Sequence, residues 1–479
     1  MPKLSELLVP TLDADPEISG LTADSRAVNP GDLFAALPGT KADGRAFISD
    51  AVARGAAAVL APLGTTLPND RAVLIADDNP RRRFSLMAAR FYPRQPAVMV
   101  AVTGTNGKTS VTHFARQIWE QLGLSAASLG TTGLVAPGRV GKGSMTTPDP
   151  VSLHRTLDEL AADGVTHGAF EASSHGLDQF RLDGVRISAS AFTNLTRDHL
   201  DYHGSMDAYW RAKSRLFGEV MASHHAAVIN ADSPQAGLLS SLCLDRRHRI
   251  LSFGSNGRDI RLANMTPTAE GQDLDLVVFE RLYQLHLPLA GSFQASNAAC
   301  ALGLVIATGS PVEAAVAALS HLREVPGRLQ KVATTAAGAA VYVDFAHTPD
   351  GLETALKALR PHTAGKLVVV FGCGGDRDKG KRPLMGRIAT EWADRIYVTD
   401  DNPRSEDPAS IRRQILMACP DATEVDDRAT AIRMAVGGLA SGDLLVLAGK
   451  GHENGQIVGD KVLPFDDAVQ ARRAVEELS

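Results

Sequence analysis

Residues 98–110 read VMVAVTGTNGKTS and combine an apolar run, a glycine-rich turn and the start of a helical pattern. The run Val98 to Val102 has the near-continuous apolar character of a strand that helices cover on both faces. Glycines let the next loop curl so that its backbone amides and the helix N-terminus point at phosphate oxygens. The order strand, loop, helix therefore predicts a nucleotide-phosphate site in an α/β domain.

The phosphate loop, residues 103–110, carries two further groups that suit a nucleotide. Lys108 can reach the β- and γ-phosphates, and the hydroxyl of Thr109 suits Mg²⁺. The loop is not a strict Walker A sequence, because Val102 stands where a glycine is expected five positions before Gly107. A glycine-rich turn with a chance Lys-Thr pair is the alternative. By itself the loop does not separate a kinase, a GTPase, an ATPase motor and a ligase.

Length and composition exclude several classes of protein. The chain has 479 residues, 44% of them hydrophobic, and its 49 basic and 54 acidic residues give a net charge of −5. That balance excludes a strongly basic nucleic-acid binder. No apolar run approaches the ~20 residues of a membrane span, and residues 1–10, with one Lys and no apolar core, predict no secretory signal. Four scattered cysteines favour neither a disulfide framework nor a zinc site. We expect a cytoplasmic, monomeric enzyme with no nucleic-acid partner and no membrane insertion.

Apolar runs alternate with helical patterns along the whole chain, and prolines break it twice. Runs at 341–345, 367–371 and 444–448 are each followed by Gly, Asp or His and then by a helical stretch. This is the α/β signature, with chemistry at the carboxyl ends of strands. Prolines interrupt the chain at 91–96 and at 326. We expect three α/β domains: an N-terminal one (1–96), a central P-loop ATPase-like parallel-sheet domain (97–326) and a C-terminal Rossmann-like domain (327–479).

A second group of chemical side chains follows the strand-like run at 165–170. Glu171 opens EASSHG, residues 194–204 read NLTRDHLDYHG, and Lys213 lies in a helical stretch. Taken singly, Glu171 suits an acid near a helix N-cap, His199 a loop histidine and Lys213 a solvated charge. Taken with the phosphate loop, they favour one metal-nucleotide site.

Together these motifs closely resemble the Mur ligase family, ATP-dependent enzymes that add amino acids to the peptidoglycan precursor. The match covers essentially the whole chain. The matching motifs are at 104–109, 171–176, 194–204, 212–213, 291–297 and 344–347. Folylpolyglutamate synthases share the phosphate loop but are less similar at the N-terminus. Residues 21–26, 31–34, 146–148 and 372–383 resemble the subfamily that adds the third peptide residue. The resemblance implies that UDP-N-acetylmuramoyl-L-alanyl-D-glutamate, an amino acid and ATP give the tripeptide, ADP and phosphate.

The resemblance also implies roles for the nucleotide-site residues. It assigns catalysis to Lys108, Glu171, His199 and Lys213, one Mg²⁺ to Thr109 and Glu171, and a second to His199 and Lys213. A protonated lysine cannot bind Mg²⁺, but the matching family lysine carries CO₂ as an anionic carbamate, so we expect N6-carboxylysine at Lys213. The implied ATP contacts are Gly104, Thr105, Asn106, Gly107, Lys108, Thr109, Asn297, Arg328 and Asp344. Asn297 suits a helix cap equally well.

The N-terminal domain is implied to bind the UDP-sugar. An arginine is suited to the peptide carboxylates of this substrate because its donors form a planar fork. Ser25 suits a turn equally well. The matching UDP-sugar and dipeptide contacts are Ala23, Ser25, Thr40, Lys41, Ala42, Thr146, Thr147, Ser173, Gln179 and Arg181.

The string DNPR at 401–404 resembles the enzymes that add meso-diaminopimelate. Diaminopimelate ends in an ammonium and a carboxylate, whereas lysine ends in an ammonium only. Arg404 can pair with the extra carboxylate. Losing such a pair would lower the preference for diaminopimelate over lysine by a factor of roughly 10²–10⁴. Glu453 can accept from the ammonium. The implied diaminopimelate contacts are Arg377, Asp401, Asn402, Pro403, Arg404, Gly449 and Glu453.

The same four residues, DNPR, also occur at 78–81, so the string alone is weak evidence for a diaminopimelate site. There Asn79 and Pro80 suit the N-cap and first turn of a helix, and the arginines at 81–83 suit a solvated face. The alternatives to a diaminopimelate ligase are the same ligation with L-lysine or another amino acid, a P-loop kinase or NTPase switch, and a non-catalytic nucleotide-binding protein of ligase fold.

Overall fold

The computed structural model describes residues 1–8, 14–39, 42–141, 143, 145–268 and 270–478. The chain forms two compact units, one of Met1–Phe253 with Cys300–Ala315 and one of Gly254–Ala299 with Val316–Ser479. Strands alternate with helices along most of both units, as the sequence predicts, but strands follow one another without a helix, for example at 126–141, 249–287 and 455–464. Among the helices of the described residues, none is long and apolar enough to cross a membrane. The boundaries expected at 96 and 326 stay predictions.

The first unit begins with a four-stranded parallel sheet in the order β1-β2-β3-β4. Its strands and helices are α1 (Leu4–Leu7), β1 (Leu21–Thr22), β2 (Leu33–Ala35), α2 (Ile48–Ala53), β3 (Ala58–Pro62), β4 (Val73–Asp77) and α3 (Pro80–Phe91). The side chain of Asn79 caps α3 and Pro80 stands in its first turn, which confirms the prediction for the first DNPR string.

Of the three arginines at residues 81–83 that were predicted to form a solvated face, Arg82 is exposed, whereas Arg81 and Arg83 are half-buried. Arg82 forms an ion pair with the buried carboxylate of Asp183 at 3.0 Å. Arg83 pairs with Asp77 at 2.6 Å. Asp183 lies 101 residues from Arg82, so the local sequence pattern gave no sign of it, whereas Asp77 lies only six residues before Arg83.

The second sheet of this unit has the order β12-β11-β10-β5-β9-β6-β7-β8. It is parallel from β12 to β6 and antiparallel at β7 and β8. Its strands are β5 (Val98–Thr103), β6 (Ala126–Gly130), β7 (Gly133–Ala136), β8 (Arg139–Gly141), β9 (His167–Glu171), β10 (Ala189–Phe192), β11 (Ala226–Asn230) and β12 (Arg249–Gly254). Because β5 lies between β9 and β10, the loops after these strands flank the phosphate loop.

Helices cover this sheet, and the central strand is buried on both faces. Val100 and Val102 point to one face and Met99 and Ala101 to the other, and none is more than 2% exposed. The helices are α4 (Lys108–Gln121), α5 (Pro150–Ala162), α6 (Ser174–Asp178), α7 (Leu200–His203), α8 (Met206–Arg215) and α9 (Ala236–Asp245). The strand and helix predicted around the phosphate loop are confirmed.

The second unit contains an antiparallel sheet, a six-stranded mixed sheet and a hairpin. The six-stranded sheet has the order β16-β17-β21-β18-β19-β20 and is parallel except for β16. The strands are β13 (Ile260–Thr268), β14 (Gly271–Val278), β15 (Arg281–Leu287), β16 (Gln330–Thr334), β17 (Ala340–Asp344), β18 (Leu367–Phe371), β19 (Arg395–Val398), β20 (Thr423–Glu424), β21 (Leu444–Ala448), β22 (Gly455–Val458) and β23 (Lys461–Pro464).

The helices of the second unit pack on the six-stranded sheet and bury strands β18 and β21 completely. Helices α10 and α11 contain residues of both units. The full set is α10 (Ser292–Ala307), α11 (Val312–Ala318), α12 (Pro349–Leu359), α13 (Lys381–Trp392), α14 (Pro408–Leu416), α15 (Arg428–Gly437) and α16 (Asp467–Leu478). Four adjacent strands, β17, β21, β18 and β19, end at one edge, which gathers the loops that follow them.

All four cysteines are buried free thiols. Burial raises the pKa of Cys243 and Cys373 to about 12 and that of Cys419 to about 11. Burial also raises the pKa of Cys300. The thiolate, which is the reactive form, is therefore scarce at neutral pH in every one of them.

A fully buried ion pair joins the last two helices to the end of β21. The guanidinium of Arg428 donates to both carboxylate oxygens of Asp467, at 2.8 and 2.7 Å, and both side chains are 0% exposed. Arg428 also donates to the carbonyl of Ala448 at 3.0 Å. The pair therefore fixes the first residues of α15 and α16 against the strand that precedes Gly449.

We expect the substitution Asp467→Asn to lower the free energy of unfolding by about 3–5 kcal/mol, because it leaves the Arg428 charge buried without a counter-charge. Glu476→Gln on the exposed face of α16 is the matched control and should change it by less than ~0.5 kcal/mol. The measurement is urea unfolding followed by circular dichroism. An Asp467→Asn chain as stable as the control would contradict the expectation.

Candidate active site

The phosphate loop is braced by the loop that follows β10. Gly104 and Gly107 have φ angles of +148° and +88°, which only glycine adopts without strain. A Cβ atom on Gly104 would lie 1.9 Å from Thr193 Oγ1, so this position also requires glycine for space. The side-chain oxygen of Asn194 accepts from the backbone amide of Asn106 at 2.9 Å. The predicted NLTRDHLDYHG segment therefore begins in contact with the loop.

Two lysine side chains donate to one carbonyl oxygen of this loop. Nζ of Lys108 lies 3.0 Å and Nζ of Lys213 lies 2.6 Å from the oxygen of Gly104. Lys213 is 1% exposed, and its Nζ is 4.5 Å from the ring centroid of Tyr209. Burial lowers the pKa of Lys213 well below its usual value, and the charge of Lys108 lowers it further. Lys213 is therefore not a solvated helix charge.

Glu171 ends β9 beside the start of the phosphate loop, where its backbone pairs in register with Val102 of β5. Its side chain is 1% exposed. Oε1 accepts from the backbone amide of Thr131 at 2.8 Å, and Oε2 accepts from the Thr131 hydroxyl at 3.1 Å. A Cβ on Gly130 would lie 2.0 Å from Oε1, so the carboxylate needs this glycine. These two donors and the close packing against Gly130 hold the Glu171 carboxylate in one orientation.

His199 lies in the same neighbourhood as the two lysines. It has a positive φ of +52° at the start of α7, and its Nε2 is 3.4 Å from a carboxylate oxygen of Asp198. Burial lowers the pKa of His199, and the charges of Lys108 and Lys213 act in the same direction. The ring of His175 lies 4.9 Å away, with its own pKa lowered by burial to about 4. A neutral imidazole, the form that binds metals, follows at neutral pH.

These residues fit a magnesium ion only if Lys213 contributes oxygen. Thr109, 4% exposed in the first turn of α4, offers a hydroxyl oxygen, and Glu171 offers carboxylate oxygens. Mg²⁺ prefers oxygen ligands of this kind. An ammonium at Lys213 would repel the ion. Within the described residues, no cluster of three or more His, Cys, Asp or Glu side chains is placed to hold a metal. The carbamate expected at Lys213 would complete the set.

A cavity of about 570 Å³ lies in the first unit. Ala23, Gln179 and Arg181 of the predicted UDP-sugar contacts line it. Arg81 and Arg155 line it too, and sequence reasoning missed both. Arg81 was assigned to a solvated face, and Arg155 was not singled out. Three guanidinium groups around one cavity suit a ligand that carries phosphates and carboxylates. The helical spacing of Arg81 and Arg155 gave no signal that they share a cavity.

Several predicted sugar contacts brace the turn after Glu171. The hydroxyl of Thr147 donates to the Glu171 carbonyl at 2.8 Å and accepts from the Ser173 amide at 3.0 Å. Ser173 caps α6, and Arg181 donates to the Thr147 carbonyl at 2.7 Å and to Gln179 Oε1. The structure therefore brings these four residues together. Their contacts with a substrate stay predictions.

The remaining predicted contacts of the UDP-sugar are more scattered. Thr146 Oγ1 lies 3.0 Å from Thr131 Oγ1. Ser25 begins a short 3₁₀ helix, Ser25–Ala27, and Ala42 is exposed. Thr40 and Lys41 lie outside the described residues.

The second unit brings the other three predicted ATP contacts together. Asn297 in α10 donates to Gln294 Oε1 at 3.2 Å, and Gln294 donates to the carbonyl of Arg328 at 3.0 Å. The carboxylate of Asp344 accepts from the Leu329 amide at 2.6 Å. Burial raises the pKa of Asp344 to about 6, although the Arg328 charge opposes the shift. Asn297 lies inside its helix, so the alternative role as an N-cap is wrong.

The predicted diaminopimelate residues Asp401, Asn402, Gly449 and Glu453 gather at the ends of β19 and β21. Asp401 and Asn402 are buried, and the amide of Asn402 donates to Glu453 Oε2 at 2.9 Å. Gly449 has a φ of +113°, and a Cβ there would lie 2.7 Å from a carboxylate oxygen of Asp401. This close approach requires glycine and sets Asp401 against the end of β21.

Arg404 adopts a φ of +52°, which is strained for a residue with a side chain. Its backbone amide donates to the Ile457 carbonyl of β22 at 3.0 Å, and its Nη1 donates to the Gly375 carbonyl at 2.9 Å. A Cβ on Gly375 would lie 1.9 Å from the carbonyl oxygen of Pro403. The guanidinium is half-buried. Arg377 is exposed and donates to its neighbour's carbonyl.

Sequence reasoning missed two buried cations of this region. Lys450, 0% exposed, donates to Asn402 and Glu453. Arg382, 0% exposed, donates to both carboxylate oxygens of Glu406, at 3.1 and 2.9 Å, and so holds the loop after Arg404. Lys450 stands between two glycines directly after a buried strand, and that position was a usable signal.

A parallel-sheet unit with a phosphate loop, a buried acid and a buried lysine defines a nucleotide-dependent α/β enzyme. Three family models match the chain in order: a Mur ligase family catalytic domain at residues 17–92, the Mur ligase middle domain at 102–305 and the Mur ligase glutamate ligase domain at 327–451. The chain belongs to the Mur ligase family and is an ATP-dependent ligase that forms amide bonds. The predicted three-domain α/β architecture is confirmed.

Similar proteins share one name, UDP-N-acetylmuramoyl-L-alanyl-D-glutamate–2,6-diaminopimelate ligase. One from Rhizobium meliloti (strain 1021) is 54% identical over 459 residues, covering 96% of this chain and 94% of its own. One from Caulobacter vibrioides is 53% identical over 480 residues and 99% of each chain. A solved structure of a ligase with this name has a TM-score of 0.74 at 33% identity over 99% of each chain. MurF of Thermotoga maritima, solved with ADP, shares the fold at a TM-score of 0.64 and 18% identity, over 96% of this chain and 97% of its own.

Proposed function

We propose that this chain adds meso-diaminopimelate to the side-chain carboxylate of D-glutamate in UDP-N-acetylmuramoyl-L-alanyl-D-glutamate, at the expense of ATP. The product belongs to cytoplasmic synthesis of the peptidoglycan precursor, and the enzyme acts as a monomer on these small molecules. Relatives of this name at 50–54% identity support the proposal. The same ligation with L-lysine is the second candidate, because both amino acids present the amine that is joined.

The observation that carries the choice of diaminopimelate is the charge pattern of the pocket around Asn402. Glu453 supplies a carboxylate on one side of Asn402, and Arg404 supplies a half-buried guanidinium two residues along the chain. Diaminopimelate ends in an ammonium and a carboxylate that match these two charges. Lysine would leave Arg404 without its partner, which costs binding free energy because Arg404 is partly withdrawn from water.

The chemistry requires two anions to meet. A glutamyl carboxylate oxygen attacks the γ-phosphorus of ATP, the bond to the β-phosphate oxygen breaks, and ADP leaves. The deprotonated amine of diaminopimelate then attacks the acyl phosphate carbon, and the tetrahedral intermediate loses a proton and expels phosphate to leave the amide. Amides of the phosphate loop and Lys108 bind and orient the phosphates, and their fixed positive charge lowers the barrier to the approach.

Thr109 and Glu171 would hold one Mg²⁺, and His199 and a carbamylated Lys213 would hold a second, and these ions would neutralise part of the triphosphate charge. The carbamate forms when the neutral amine of Lys213 attacks CO₂ and releases one proton. The lowered pKa of Lys213 supports this step, because it favours the neutral amine. The modified side chain would replace a repelled ammonium with oxygen donors of the kind that Mg²⁺ prefers.

With purified protein, ATP and magnesium, we expect phosphate release only when both the UDP-linked dipeptide and diaminopimelate are present. Mass spectrometry of the nucleotide product should then show one added diaminopimelate residue. Lys108→Ala is the control for contaminating activity and should abolish release. Phosphate release without the dipeptide would favour a kinase or NTPase, and no release under any condition would favour a non-catalytic nucleotide-binding protein.

Arg404→Ala should lower kcat/KM for diaminopimelate by roughly 10²–10⁴, because it removes the partner of the second carboxylate. Turnover with L-lysine should rise relative to turnover with diaminopimelate. Arg413→Ala, which removes an exposed arginine of α14, is the matched control. An Arg404→Ala enzyme that keeps full diaminopimelate turnover and gains none with lysine would rule out this role.

Removal of CO₂ from buffers should inactivate the enzyme reversibly, and added bicarbonate should restore activity, if Lys213 carries a carbamate. Native mass spectrometry should show the mass of one CO₂ on the active protein and not on Lys213→Arg, whose guanidinium does not form the adduct. An active, undenatured preparation with an unmodified Lys213 would count against the carbamate while leaving the ligase reaction standing.

A further inference from the structure

Lys450 is a buried cation with no role in the functions assigned so far. It follows Gly449 after β21 and is 0% exposed. Its Nζ donates to Asn402 Oδ1 at 3.2 Å and to Glu453 Oε2 at 3.1 Å. A buried ammonium is tolerated only when charge and hydrogen bonds compensate it, and these two residues provide both.

The contact with Lys450 fixes which way the Asn402 carboxamide faces. Oδ1 accepts from Lys450 Nζ and, at 2.9 Å, from the backbone amide of Ile457. Because both partners are donors, a flipped amide would set its NH₂ group against two further donors. The NH₂ group therefore faces Glu453, to which it donates at 2.9 Å.

The same contacts leave a defined pair of groups for a ligand. Of the two hydrogens on Asn402 Nδ2, one is used by Glu453. Glu453 accepts from both Asn402 and Lys450 through Oε2, and its side chain is 37% exposed, so Oε1 can accept from a bound molecule. One amide donor beside one carboxylate acceptor complements a carboxylate beside an ammonium.

We infer that Lys450 is a positioning residue of the amino-acid pocket. It holds the carboxamide of Asn402 and the carboxylate of Glu453 in the orientation that meets the zwitterionic end of the amino acid, and it balances part of the Glu453 charge. This inference rests on the proposed function. Through Asn402, Lys450 also joins the loops after β19 and β21 to the hairpin strand that contains Ile457.

Lys450→Met keeps the length of the side chain and removes its charge and donors. We expect KM for diaminopimelate to rise about 10-fold to 100-fold, because Asn402 and Glu453 lose their fixed orientation. KM for ATP and for the UDP-linked dipeptide should stay within about twofold, since those substrates do not contact this cluster. Lys461→Met, which removes an exposed lysine of β23, is the matched control and should leave all three values unchanged.

Lys450→Arg separates positioning from simple folding, because it keeps the buried charge and its donors. It should recover part of the lost affinity for diaminopimelate, with circular dichroism confirming that each variant is folded. An unchanged KM for diaminopimelate in Lys450→Met overturns the inference. So does an equal rise in the KM values of all three substrates, or a folded Lys450→Arg enzyme no better than Lys450→Met.

Calorimetry of amino-acid binding keeps this test distinct from the test of the reaction. Diaminopimelate and L-lysine are titrated into the native chain and into Lys450→Met. If the native chain binds lysine in place of diaminopimelate, the proposed substrate is wrong, and Lys450→Met should still weaken lysine binding by the same factor. Equal binding of the preferred amino acid by both chains overturns the role of Lys450 whichever substrate is correct.

Discussion

Two lysine side chains share the carbonyl oxygen of Gly104, and this shared contact joins the phosphate loop to α8. Like charges this close repel, and the repulsion grows where water is excluded. The arrangement is stable because one carbonyl accepts from both and because Lys213 gives up its proton more readily than an exposed lysine. Fixed positive charge of this kind attracts anions, as the proposed binding of a triphosphate requires. The glycine at position 104 and the loops after β9 and β10 all serve to hold this geometry.

The elements nearest the chemistry were also the easiest to predict from the sequence. Strand β18 spans the five apolar residues 367–371 as predicted, because a strand covered on both faces needs an unbroken apolar run. Residues a few positions beyond such a strand reach the same edge of the sheet by geometry alone. That is why Glu171 after β9 could be singled out before its neighbours were known, whereas Asp344 and Asn402 were assigned from the family resemblance.

Contacts between distant parts of the chain could not be predicted in this way. Arg428 and Asp467 are 39 residues apart, and neither the helix pattern around Arg428 nor the start of α16 indicates that the two charges are buried together. Asp183 lies 101 residues from Arg82, so the local sequence could not show the ion pair that this exposed arginine forms. The hydroxyl of Thr147 holds the turn after Glu171, a contact that its own segment of sequence does not indicate. Buried charges depend on partners, and a single sequence does not show which partners the fold supplies.

The four buried thiols have a practical consequence for following this enzyme at work. Alkylating dyes react with thiolates, and burial keeps these cysteines protonated and shielded at neutral pH. One cysteine introduced on the surface of each unit would therefore accept a fluorophore without removal of the native four. Energy transfer between the two dyes would then report the separation of the units as each reactant is added, in the otherwise unaltered chain.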